Sequence, residues 1–82
     1  MSGMWKLYIL RCGDGSLYTG IAVDVAARLE VHRSGKGAKY TRGRGPLELV
    51  YTEDCGSHSD ALKREITIKR LTRQEKEELI KK

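Results

Sequence analysis

The chain has no uninterrupted apolar run of the roughly 18 residues that a membrane-crossing helix needs. Its start, Met1-Ser2-Gly3-Met4-Trp5-Lys6, lacks the long apolar stretch of a signal peptide. The expectation is a cytoplasmic protein with no membrane partner. Cysteine is scarce: Cys12 and Cys55 stand 43 positions apart, too few for a disulfide scaffold. Cys55 with His58 has ligand-like chemistry, but structural zinc sites want four ligands in paired spacings, and only His32 adds to the supply. Two reduced thiols near strand ends are expected instead. Acidic residues are in deficit, eleven against sixteen Lys plus Arg, giving a net charge of +5 and a pI near 9.4. That balance favours polyanions as partners. With 82 residues and 39% hydrophobic content there is room for one domain, 1–82, around a small core.

No repeat or low-complexity linker divides the chain. Residues 5–11, WKLYILR, and 17–22, LYTGIA, read as strands by their β-branched and aromatic content. Between them Cys12-Gly13-Asp14-Gly15-Ser16 is a turn, so the two form a hairpin. Asp24 is placed to N-cap a helix running to about Arg33, and Ser34-Gly35 ends it. Residues 35–46 hold four glycines, one proline and four cationic side chains, a loop. Residues 47–53, LELVYTE, alternate as a third strand, and Asp54-Cys55-Gly56 is expected to turn the chain. A helix then starts at Ser57 or Ser59 and runs to about Leu71. Thr72-Arg73-Gln74-Glu75 matches a capping box and predicts a last helix over about 73–81. The order ββαβαα implies an α+β domain, a mainly antiparallel three-stranded sheet flanked by helices.

Several side chains in this scheme carry chemistry. Alternation along strands puts Tyr8 and Tyr18 on one face if the turn centres on Asp14, with Tyr8 opposite Gly20. Gly20 then leaves room beside a phenol. Simple strand packing would also place tyrosines there. Arg28 and His32, four apart, share a helix face at the edge of the stripe set by Val25 and Leu29. Arg28 could equally pair with Asp24. At about 100° per residue, Glu65 falls between Ala61 and Leu62, inside the apolar arc completed by Ile68. A carboxylate there is costly unless it is paired, for instance with Lys69, or bound to metal. In the loop, Lys36, Lys39, Arg42 and Arg44 surround Tyr40, a pattern suited to phosphate contact with base stacking. Its glycines do not form a Walker loop, because Gly37 and Gly43 have five residues between them and no Lys-Ser/Thr follows.

The ordered set Lys6-Leu7-Tyr8, Tyr18-Thr19-Gly20, Arg28, His32 and Glu65 resembles the GIY-YIG nuclease superfamily, over nearly the whole chain. The stretch from Gly35 to Gly43 and the tail Lys69-Arg70-Leu71-Thr72-Arg73 resemble its small single-domain prokaryotic members. That resemblance implies a DNA endonuclease. Tyr8 or Tyr18 would be the general base on water, and Arg28 would hold the scissile phosphate. His32 would match a position occupied by His or Tyr in related nucleases, and Glu65 would bind one Mg²⁺ or Mn²⁺. A phenol with a pKa near 10 is a poor base at neutral pH unless shifted, and Arg28 and the metal would favour its phenolate. DNA is the expected partner, with RNA a second candidate.

The chain departs from the family pattern in four ways. The first tripeptide lacks its glycine, and Thr19 replaces Ile. The chain contains no Asn, which many of these nucleases place after the glutamate helix, and Gln74 is its only amide side chain. Nor do these 82 residues leave room to expect a separate DNA-binding domain beside the first. These departures support a second reading, a nucleic-acid-binding module on the nuclease scaffold with little turnover.

Overall fold

Strand β1 (Trp5–Arg11) lies in the middle of the sheet and faces both layers of the molecule, in a computed structural model that describes residues 4–82. It pairs antiparallel with β2 (Leu17–Ala22) on one side and with β3 (Glu48–Gly56) on the other. Helices α1 (Val25–Arg33), α2 (His58–Lys69) and α3 (Arg73–Lys81) complete the expected ββαβαα order, with a short 3-10 turn at Lys39–Thr41. The sheet is antiparallel throughout.

Because β1 is central, its alternating side chains enter two separate apolar clusters. Tyr8 and Leu10 join Cys12, Ala22 and Leu47 under Val25 and Leu29 of α1. Leu7 and Ile9 point the other way, against Ile68 of α2 and Leu79 and Ile80 of α3. Leu7, Ile9, Leu10 and Ile68 are fully buried, and each such side chain contributes about 1.5–3 kcal/mol relative to exposure. Cys12 is buried, Cys55 is half-buried, and both are unbridged thiols.

Local signals account for most helix boundaries. Asp24 accepts the Ala27 N–H at 3.0 Å, capping α1 as expected. Ser57, not Ser59, caps α2, in a reciprocal box with Asp60. Thr72 and Glu75 form the expected box at α3. Helix α2 ends at Lys69 rather than Leu71, and Leu71 instead packs in the connection beneath α3.

The third strand overruns its predicted end. Asp54-Cys55-Gly56 is strand rather than turn, because β1 is long enough to pair with it: Lys6 faces Asp54 and Trp5 faces Gly56. A register shift between Trp5 and Lys6 accommodates the extra residue, and Lys6 pairs with the Asp54 carboxylate at 3.8 Å.

The last helix is fixed by charge as well as by its apolar side. Arg11 of β1 donates two hydrogen bonds to Glu77, at 2.8 and 2.9 Å, and Arg73 donates a third at 3.0 Å. On α2, Arg64 donates to Glu53 of β3 at 2.6 Å, and the Tyr51 hydroxyl donates to the same carboxylate. Burial raises the Glu53 carboxyl pKa, but the Arg64 and Tyr51 hydrogen bonds outweigh it and leave it lowered.

Candidate active site

The hairpin register places Tyr8 opposite Gly20, as the turn predicts, and Leu10 opposite Tyr18, so the two phenols lie diagonally on one face. Tyr8 starts from the central strand, yet its phenol reaches the β2 edge because Gly20 has no side chain. A Cβ on Gly20 would lie 2.5 Å from Tyr8 Oη and 3.0 Å from the Tyr18 ring. At that edge an open cleft of about 380 Å³ is lined by Tyr8, Tyr18, Gly20, Arg28, His32, Lys36 and Glu65, among others. Helix α1 brings Arg28 and His32 from one layer, and α2 brings Glu65 from the other. The five residues expected to carry chemistry thus line one cleft.

His32 is not at the margin of the apolar stripe but within it, 3% exposed. Its Nε2 lies 2.8 Å from Tyr8 Oη and its Nδ1 lies 2.9 Å from Thr41 Oγ1. The Tyr18 ring meets the imidazole edge-on, with centroids 5.1 Å apart. Gly37 lets the loop close over the ring, since a Cβ there would collide with Nδ1. Burial lowers the His32 pKa, and the nearby Arg28 charge lowers it further, so the imidazole is neutral at neutral pH. Burial raises the Tyr8 pKa strongly, and Tyr18 and Glu65 add to the effect. Arg28 pulls toward phenolate, as expected, but burial outweighs it in the ligand-free protein. Tyr8 is therefore a phenol whose hydroxyl meets a neutral imidazole.

Arg28 is exposed and makes no ion pair among the described residues. Its expected alternative partner, Asp24, is engaged as the helix cap. The Glu65 side chain is 18% exposed and meets Lys69 at 3.3 Å, the i,i+4 partner anticipated from sequence. Leu62 is 41% exposed, so the apolar arc of α2 is narrower than its sequence suggests, and Glu65 sits on its rim beside buried Ala61 and Ile68. A mostly buried carboxylate that still lines the open cleft, with an exposed lysine partner, remains accessible to a cation.

The loop cations divide. Lys36 lines the cleft. Arg42 instead lines a second cavity, of about 290 Å³, on the other side of His32 beside Thr41, Pro46 and Leu47. Lys39 is exposed on the 3-10 turn. Arg44 is engaged within the protein: it pairs with Asp14 at 2.7 Å and lies 4.4 Å over the Tyr40 ring. Tyr40 in turn lies 5.8 Å from the Tyr18 ring. These contacts bind the loop to the hairpin, so Tyr40 and Arg44 are structural contacts as well as candidate nucleic-acid contacts. Thr41 and Gly37 complete the His32 environment and were not singled out from sequence. Nothing in their local pattern marks a loop residue that becomes 3% exposed by folding over a helix.

The sequence matches the GIY-YIG catalytic domain over residues 4–78. The chain belongs to the GIY-YIG family. Among curated relatives, a UPF0213 protein of Staphylococcus aureus is 59% identical over 75 residues, covering 92% of each chain. A UPF0213 protein of Cronobacter sakazakii is 53% identical over 76 residues, covering 93% of this chain and 80% of the relative. The solution NMR structure of a UPF0213 protein from Bacillus halodurans superposes with a TM-score of 0.60 at 51% identity, covering 94% and 82% of the two chains. An Enterococcus faecalis protein, also solved by NMR, gives 0.64 at 38% identity, covering 95% and 84%.

Proposed function

We propose that this GIY-YIG protein hydrolyses phosphodiester bonds in DNA with one divalent ion. The observation that carries the proposal is the convergence of Tyr8, Tyr18, Arg28, His32 and Glu65 on one cleft from two layers of the fold. No group of three or more His, Cys, Asp or Glu side chains is clustered among the described residues. One carboxylate suits Mg²⁺ or Mn²⁺, hard cations that keep several waters and take substrate phosphate as a further ligand. An ion held by Glu65 would supply charge stabilisation at the phosphate and the departing oxygen. Arg28, which makes no ion pair among the described residues, directs its guanidinium fork to non-bridging oxygens, and Lys36 adds positive charge at the cleft wall.

Tyr8 is the better placed of the two phenols to act as base, because its hydroxyl already has an acceptor in His32. As the attacking water passes a proton to Oη, the phenol's own proton moves to Nε2. A base that never becomes a free phenolate is compatible with the raised Tyr8 pKa.

The test is incubation of the protein and a Glu65→Ala variant with duplex, nicked and branched DNA, and with RNA, in Mg²⁺, Mn²⁺ or EDTA. Cleavage that needs metal and falls at least about 100-fold in the variant is expected, the scale of loss when one charge-stabilising group is removed. Full activity in Glu65→Ala would sink the assignment. Salt-sensitive binding without cleavage in either protein would identify a binding module.

A further inference from the structure

The Thr41 hydroxyl sits between two groups. It lies 2.9 Å from the Ala38 carbonyl oxygen and 2.9 Å from His32 Nδ1. A carbonyl can only accept, and a hydroxyl has one proton to give. If that proton pointed at Nδ1, two oxygens with lone pairs would face each other at hydrogen-bond distance. The proton therefore goes to Ala38, and Thr41 Oγ1 receives one from the imidazole. We propose that Thr41 is a positioning residue that holds His32 as the Nδ1–H tautomer, leaving Nε2 as the acceptor for the Tyr8 hydroxyl proton.

The placement supports this role. Tyr8, His32 and Thr41 are 2%, 3% and 3% exposed, so these hydrogen bonds are largely shielded from bulk solvent, with Tyr8 meeting the cleft at one end. The 3-10 turn at Lys39–Thr41 fixes the hydroxyl, since the Thr41 N–H and O–H both bond the Ala38 oxygen, at 3.1 and 2.9 Å. Gly37 lets that turn approach the imidazole. The three side chains form a directed line from phenol to imidazole to hydroxyl. Each donates to the next, and Ala38 takes the last proton. An imidazole held by a partner at Nδ1 presents a defined lone pair at Nε2, which is how a buried acceptor orients a histidine base in hydrolases. When the Tyr8 proton moves to Nε2, the imidazole becomes a cation with protons on both nitrogens. Thr41 still accepts from Nδ1, so the turn need not rearrange.

Only the effect on turnover rests on the nuclease reading; the tautomer does not. The experiment is a long-range ¹H–¹⁵N correlation spectrum of protein labelled at its two histidines, near neutral pH, with His58→Gln assigning the signals. Wild-type His32 is expected to show a protonated Nδ1 and an unprotonated Nε2. Thr41→Ser should keep that pattern, and Thr41→Val should shift the proton toward Nε2. An unprotonated Nδ1 in the wild type overturns the proposal without recourse to any variant, as does an unchanged pattern in a folded Thr41→Val. Where DNA is cleaved, Thr41→Val should lower kcat by roughly 100-fold with KM little changed, and Thr41→Ser should restore it. Absence of cleavage by the wild type would remove the nuclease reading and leave the tautomer result standing.

Discussion

Thr19 shows what a single position costs when a site motif departs from an apolar pattern. It lies opposite Ile9 in the sheet and is 3% exposed, and its Oγ1 is buried without a hydrogen-bond partner. A buried orphan hydroxyl carries a desolvation penalty of about 1–3 kcal/mol. Thr19→Val, of the same shape, should therefore raise the unfolding free energy by about 1 kcal/mol, read as a higher urea midpoint at unchanged slope. A lower midpoint would show that the hydroxyl is satisfied in solution. The residues of the cleft were legible where chemistry conflicts with local pattern: Glu65 on an apolar arc, and Arg28 and His32 one turn apart. Thr41 and Gly37 were not. Their importance comes from a loop folding across α1, and no periodicity encodes that contact.

Among the elements, α3 depends most on charge. None of its residues is fully buried, and Glu77 binds Arg11 and Arg73. The Arg11 hydrogen bonds, with those of Arg73, depress the Glu77 pKa from 4.5 to about 2. A carboxyl depressed on folding stabilises the fold above its unfolded pKa and stops doing so as pH falls through the folded value. The docking of α3 should thus weaken between about pH 5 and pH 2, seen as loss of amide protection in α3 before the sheet. In Glu77→Gln that step should be absent, and an unchanged pH profile would remove Glu77 as its source. Element order and most caps were readable, because Asp24, Ser57 and Thr72 signal locally. The extra length of β3 was not, since Asp54-Cys55-Gly56 has turn composition and is held extended only by β1 alongside it.

For the whole molecule, no described helix is long and apolar enough to cross a membrane, and the charge of +5 is unevenly available. Arg28, Lys36, Lys39 and Arg42 make no ion pair among the described residues, whereas Arg44 is held by Asp14. If those four free cations meet phosphates, log K for duplex DNA should fall against log salt with a slope of about −3.6. Lys36→Ala or Arg42→Ala should each flatten the slope by about 0.9, while Arg44→Ala should leave it nearly unchanged. Fluorescence anisotropy across a salt series measures all three, and equal slopes for every variant would place the interface elsewhere. The net charge alone suggested a polyanion partner, but only the fold separates the cations that are free from the one that braces the loop. The same fold sets an order of events during synthesis. Tyr8 and Tyr18 leave the ribosome early, and chains emerge and begin to fold from the N-terminus. Glu65 lies on α2, which follows the third strand, and α3 must close the lower layer after that. A nascent or prematurely ended chain therefore displays both phenols and the imidazole with no carboxylate to join them.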